Sequence, residues 1–171
     1  DHQDRRVYWA GTDRGVYKSS DDGERWVRQT ASRLPNGSTG RTELAIAPSD
    51  GRIVYALFSG GTTASVFWRT LDGGTTWTRR SSGSNACDGQ CNYNMTLAVD
   101  PLDPQVVYRG TVRLFKSSDG GASWTPLIAS LGPDQQVPQD IQELLLDPSG
   151  PNELLIGSDG GVWRSNDAGL S

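Results

Sequence analysis

The chain has 171 residues and a net charge of −4, with sixteen basic against twenty acidic side chains and no basic block, which argues against nucleic acid as a partner. Its longest apolar runs, Leu144 to Leu146 and Leu154 to Ile156, fall far short of the ~20 residues that a membrane-spanning helix requires. Glycine and proline together make 30 of 171 residues, about 18% against ~12% in average usage, and predict a chain of many turns.

Taken in chain order, the elements are short strands, and nothing carries a persuasive 3.6-residue period. The first stretch reads VYWAG (7–11), GVYKS (15–19) and a strand starting at Trp26. The second reads TELAIAP (42–48), IVYALF (53–58), VFWRT (66–70) and a strand starting at Trp77. The third reads MTLAVDP (95–101), VVYRG (106–110), RLFKS (113–117) and a strand starting at Trp124. The last reads QELLLDP (142–148), ELLIG (153–157) and GVWRS (161–165). The four kinds of strand are called a to d, and each a strand is stopped by a proline that cannot extend a ladder.

One octapeptide, S/T-x-D-x-G-x-x-W, joins every c strand to its d strand. It occurs as Ser19, Asp21, Gly23, Trp26; as Thr70, Asp72, Gly74, Trp77; and as Ser117, Asp119, Gly121, Trp124. A fourth copy has Ser165, Asp167 and Gly169 before the last residue. The Asp-to-Asp spacings of 51, 47 and 48 residues suit one four-stranded propeller blade and are too long for leucine-rich or ankyrin units. The expected fold is therefore all-β, a β-propeller of four-stranded antiparallel blades with about three and a half blades present. The blades fall at 1–30 (partial), 41–80, 94–128 and 141–171 (partial). Fourteen strands leave the first and last blades open, so the chain is expected either to belong to a propeller of six to eight blades or to have its edges covered by another chain.

Each octapeptide residue has a mechanical task in the c–d hairpin. Ser/Thr and Asp accept hydrogen bonds from turn amides, Gly supplies a positive φ, and Trp covers the apolar face while its N–H finds a partner. The pattern resembles the Asp box, or bacterial neuraminidase repeat. Proteins sharing it include sialidases, family 74 glycoside hydrolases acting on xyloglucan, sortilin-type ectodomains, a photosystem II assembly factor and many secreted bacterial proteins. The resemblance implies that Asp21, Asp72, Asp119 and Asp167 are structural and lie away from any active site.

In a propeller the d–a and b–c connections share the face that usually meets ligands. Two b–c turns, GTDRGVYKS with Asp13 and GSDGGVWRS with Asp159, resemble the Asp-x-Gly-Gly turn that carries catalytic aspartates in family 74, where two carboxylates flank the cleaved bond. The same residues also suit a plain tight hairpin, with Asp tolerating αL and Gly taking positive φ. Arg41, Tyr93, Arg113, Gln139 and Asp140 are the other candidates on this face. A polar and aromatic mouth of this kind suits a carbohydrate or peptide. Arg41, Arg109, Arg113 and Tyr93 resemble parts of a sialidase site, but no Arg-Ile-Pro segment accompanies them, and Arg109 and Arg113 equally fit strand-face or rim positions. The His-x-Asp-x-His segment of many secreted bacterial relatives is matched here by residues 138–142, without either histidine.

Cys87 and Cys91, the only cysteines, have a spacing that a loop disulfide can close and make a poor zinc site, which points to an extracellular or periplasmic protein. No metal site is expected, and the Asp-rich turns lack the run of oxygen ligands of a dedicated calcium loop. The favoured function is a non-catalytic secreted propeller recognising a protein or glycan. The alternative is a fragment of a secreted glycoside hydrolase, sialidase-like or xyloglucanase-like.

Overall fold

The computed structural model describes residues 6–31, 34–35, 37–60, 66–82, 90–127, 139–150 and 152–170. Among them are fourteen strands in four antiparallel sheets, which are blades of a β-propeller. The first sheet holds β1 (Tyr8–Thr12), β2 (Gly15–Ser19) and β3 (Val27–Arg28). The second holds β4 (Thr42–Ala47), β5 (Asp50–Phe58), β6 (Val66–Thr70) and β7 (Thr78–Ser82). The third holds β8 (Thr96–Val99), β9 (Val107–Gly110), β10 (Leu114–Ser117) and β11 (Thr125–Pro126). The fourth holds β12 (Ile141–Leu146), β13 (Leu154–Ser158) and β14 (Gly161–Ser165). Within each sheet the strands lie side by side in chain order, as alternating short strands joined by tight turns require. The inner strands β4, β8 and β12 stand next to one another, and β1 takes the place beside β4.

Two expected boundaries move. The b strand of the second blade begins at Asp50, because a two-residue turn lets Asp50 pair with Ala47 across a register shift. The d strands begin one residue after each octapeptide tryptophan; in the second and third blades that side chain turns into an interface between blades. Trp77 (3% exposed) packs with Val16, Val54 and Trp68, and Trp124 packs beside Phe67 and Tyr55. The ring N–H of Trp124 is buried and has no hydrogen-bond partner among the described residues, against the expectation for that residue. Its ring instead meets Phe67 edge-on at 5.0 Å.

The core consists of three apolar clusters, one in each gap between neighbouring blades. Each buried Tyr, Phe or Leu contributes about 1.5–3 kcal/mol there, more than the ~0.5–1.5 kcal/mol net of a single hydrogen bond. Blade-to-blade packing thus outweighs any one hairpin contact. Polar links cross the same gaps: Tyr55 Oη donates to the Pro104 carbonyl at 2.6 Å, Tyr108 Oη to Ala168 at 3.3 Å, and Lys18 Nζ to Gly73 at 2.8 Å. Arg109, which fits a strand-face or a rim position by sequence, lies on β9 and is 3% exposed. Its guanidinium lies between the rings of Phe115 and Trp124, each centroid 4.4 Å away. Burial pushes its pKa down to about 10. The octapeptide turns are congruent. In the third, Ser117 Oγ donates to Asp119 Oδ1 at 2.8 Å and accepts the Gly121 amide at 2.8 Å, while Asp119 Oδ1 accepts the amides of Ala122 and Ser123.

Candidate functional site

The d–a and b–c connections meet at one end of the inner strands, and there side chains from three blades join. Arg41, one residue before β4, spans the second and third blades. Its Nη1 donates to the Tyr93 carbonyl and its Nη2 to the Met95 carbonyl, both at 2.8 Å. The same Nη2 lies 3.4 Å from Glu43 Oε2. Tyr93, held in this way by its backbone, is 60% exposed. Its hydroxyl donates to Asp159 Oδ2 at 3.5 Å, in the β13–β14 turn of the fourth blade. Gln142 Nε2 donates to the other oxygen, Asp159 Oδ1, at 3.1 Å.

Beneath this surface Asn94, fully buried, donates through Nδ2 to Asp140 Oδ1, and its own Oδ1 has no hydrogen-bond partner among the described residues. Asp140 has a positive φ of 66°. This conformation lets its amide donate to Val112 and its carbonyl accept the Asp159 amide. Asp140 therefore ties the Asn94 segment to the turn that carries Asp159.

The two aspartate turns are built alike, and the aspartate is not their mechanical part. In the first, Thr12 Oγ1 accepts the Arg14 amide at 3.1 Å and donates to the Gly15 carbonyl at 3.0 Å. In the second, Ser158 Oγ accepts the Gly160 amide and donates to Gly161, both at 3.3 Å. The positive φ falls on Gly15 (114°) and Gly161 (112°), not on either aspartate. The αL role that plain hairpin chemistry assigns to Asp13 and Asp159 is thus corrected. A neighbouring hydroxyl and the glycine do that work, so both carboxylates are left over for other contacts.

Not every candidate reaches the cluster. Asp13 lines a separate concavity of about 340 Å³ with Arg14, Arg28, Gly37 and Ser38. Arg113 is exposed, and among the described residues its carbonyl alone is engaged, by Thr111. Gln139 is exposed and makes no side-chain hydrogen bond among the described residues. Cys91 is buried in the core between the second and third blades, while Cys87 lies outside the described residues. No group of three or more His, Cys, Asp or Glu side chains placed to hold a metal occurs among the described residues. No helix there is long and apolar enough to cross a membrane.

The site also contains residues that were not candidates. Glu43 on β4 and Glu143 on β12 occupy the same position of their inner strands, the second residue of TELAIAP and one of the two polar residues opening QELLLDP. Burial pushes the Glu43 carboxyl up; the Arg41 charge and hydrogen bond pull it down, the like charge of Glu143 adds to the rise, and the balance is upward. Aligning the inner strands as repeats would have found this pair. No local signal marks Gln142 or Asn94, because their partners lie in other blades or turns.

The arrangement is a propeller mouth with one exposed aromatic ring, a carboxylate bonded by two donors, and a second carboxyl that keeps its proton to higher pH than an ordinary Glu. No protein-family model matches the chain. Among curated proteins it is 26% identical to a xyloglucanase of a Paenibacillus species over 92% of this chain and 18% of that protein. It is likewise 26% identical to xyloglucanase Xgh74A of Acetivibrio thermocellus, over 68% of this chain and 16% of that one. The chain thus spans less than a fifth of the length of these relatives. Among solved structures, the GH74 xyloglucanase of Xanthomonas campestris superposes with a TM-score of 0.74 at 20% identity, over 99% of this chain and 28% of that one. YCF48 from Cyanidioschyzon merolae superposes with a TM-score of 0.57 at 18% identity, over 95% of this chain and 52% of that one. These likenesses establish the β-propeller fold.

Proposed function

We propose that this chain is part of a secreted glycoside hydrolase that contacts a xyloglucan-type β-glucan at the mouth formed by Tyr93, Asp159, Gln142 and Glu43. The observation that carries the reading is the Asp159 carboxylate, held by Tyr93 and Gln142 beside an exposed aromatic ring. An exposed ring next to hydrogen-bonding side chains is what a pyranose requires, with its apolar face stacked and its hydroxyls bonded at the edge. Similarity to two xyloglucanases supports the substrate class. Glycosidic cleavage needs one carboxyl that donates a proton and one that is ionised. Asp159 and the upward-shifted Glu43 are the groups in this chain assigned to those tasks, and Asp13 is the further candidate. A hydrolysis assay on xyloglucan tests the reading: turnover lost in Asp159→Asn with an unchanged melting temperature supports it, and undiminished turnover in that variant overturns it.

A second reading keeps the mouth and drops the chemistry. YCF48 superposes on this chain also in a structure described as bound to a D1 peptide, with a TM-score of 0.58. Saturable binding of glycan or peptide at Tyr93 without turnover would select that reading.

A further inference from the structure

We propose that Asp140 is a positioning residue: its contacts set the place of the Asp159 carboxylate against the Tyr93 ring, and with it the shape of the mouth. Four residues close a circuit of contacts. The Tyr93 hydroxyl donates to Asp159 Oδ2 at 3.5 Å, and the Asp159 amide donates to the Asp140 carbonyl at 3.3 Å. Asp140 Oδ1 in turn accepts from Nδ2 of Asn94, the residue that follows Tyr93 in the chain. Asp140 is therefore bonded to the Asp159 turn through its backbone and to the Tyr93 segment through its side chain.

The second blade, built alike, shows what is particular to this place. There Ser59 stands where the fourth blade has Asp159, and its amide donates to the Arg41 carbonyl at 2.9 Å, as the Asp159 amide does to Asp140. Arg41 is not left-handed, whereas Asp140 has a φ of 66°. Thr42 and Glu43 pair with Phe58 and Leu57 in unbroken succession. In the fourth blade Ile141 pairs with Ser158 and Glu143 with Gly157, which leaves Gln142 as an extra residue. A bulge of this kind re-aims a side chain, and Gln142 Nε2 is aimed at Asp159 Oδ1, 3.1 Å away. Both irregularities fall in the blade that carries the aspartate.

A left-handed residue that bears a side chain persists only where its surroundings hold it, and here they do. The Asp140 amide donates to the Val112 carbonyl at 3.1 Å and the Ile141 amide to the Thr111 carbonyl at 2.8 Å, both in the β9–β10 turn of the third blade. Ile141 is fully buried against Gly110, where any β-carbon would collide with it. Asn94 is fully buried too, and Asp140 is the one hydrogen-bond partner of its side chain among the described residues. Burying an amide is costly unless it is bonded, so removing the Asp140 carboxylate is expected to shift Asn94, and Tyr93 with it. That the ring and the carboxylate then grip a sugar rests on the β-glucan reading above; that Asp140 sets their separation does not.

NMR and calorimetry on the 171-residue chain test this together. The wild type is expected to show nuclear Overhauser contacts between the Tyr93 ring and the Asp159 β-protons. Asp140→Gly, which adopts the same backbone without strain but lacks the carboxylate, is expected to lose them and to bind xyloglucan oligosaccharides about tenfold more weakly, as loss of one stacked ring would. Asp140→Asn keeps an oxygen acceptor and tolerates a left-handed φ, so it is expected to retain both contacts and affinity. The same holds for Asn94→Asp combined with Asp140→Asn, which exchanges donor and acceptor, whereas Asn94→Asp alone is expected to lose both. Contacts that persist in Asp140→Gly, that are lost equally in Asp140→Asn, or that are absent from the wild type would overturn the positioning role. Contacts that follow Asp140 as expected in a chain that binds no oligosaccharide would support that role and overturn the β-glucan reading alone.

Discussion

Glycine in the octapeptide turns serves two ends, and two substitutions separate them. Gly121 (φ 84°) and Gly23 (φ 89°) share a left-handed backbone, but only Gly121 has the ring of Phe67 against it. Gly23→Ala should cost about 1–2 kcal/mol for conformation alone. Gly121→Ala should cost about 2–5 kcal/mol, because overpacking adds to the same strain. Urea denaturation measures both, and equal losses would contradict the packing role. The residue before that glycine is also left-handed, and where two copies have glycine, the last has Ala168 at φ 61°. Ala168→Gly should therefore stabilise by about 0.5–1 kcal/mol, once the greater freedom of unfolded glycine is subtracted. The aspartates of these turns are pH-sensitive. At Asp119 burial pushes the carboxyl up, but hydrogen bonds from Ser123, Ser117 and Ala122 outweigh it and hold it well below the usual range. A lowered folded-state pKa stabilises fully above the unfolded value of about 4 and is lost as pH falls further, so melting temperature should drop below that point. Glu43 behaves oppositely, and its ionisation can be followed by NMR. Glu143→Gln should lower its midpoint by removing a like charge, and Arg41→Met should raise it by removing the opposing one.

At the scale of strands and blades, much of the architecture was legible in the sequence because each blade repeats the same alternation. All fourteen strands appear, and the prolines at 48, 101 and 148 close the inner strands as their missing N–H demands. The tryptophans were misplaced by one residue, since a strand pattern does not reveal that a side chain leaves its ladder for the neighbouring sheet. Arg109 lies on its strand, one of the two positions its sequence fits, but its burial was not legible for a related reason. Its counterparts are Ala56 and Ile156, and nothing local distinguishes a surface arginine from one enclosed by two rings. The candidate site was legible in part. Arg41, Tyr93, Asp140 and Asp159 sit on the loop face and are bonded to one another through four chain segments. Glu43 and Glu143 were hidden because each reads as an ordinary polar residue of an alternating strand. Contacts between blades offer a check on the energetic account. Tyr55→Phe removes a hydrogen bond of 2.6 Å to Pro104 without emptying the core. It should cost about 1 kcal/mol or slightly more, because the carbonyl is left without its partner.

For the whole molecule, the blades act as a rigid frame that brings distant loops to one mouth. Residues 41, 93, 142 and 159 are far apart in sequence, yet three blades place their groups within hydrogen-bonding distance in succession. This is how an array stiffened by its inter-blade cores can carry a site on its connections. The loop disulfide expected between Cys87 and Cys91 bears on secretion. Intact mass should rise by two hydrogens on reduction, and an unchanged mass would remove that argument for an oxidising compartment. The central claim is that the mouth binds a β-glucan, and calorimetric titration of the chain with xyloglucan oligosaccharides tests it most directly. Saturable binding that weakens at least about tenfold in Tyr93→Ala, consistent with loss of a stacked ring, is the predicted result. Absence of binding to the wild type, or equal binding by the variant, would contradict the account.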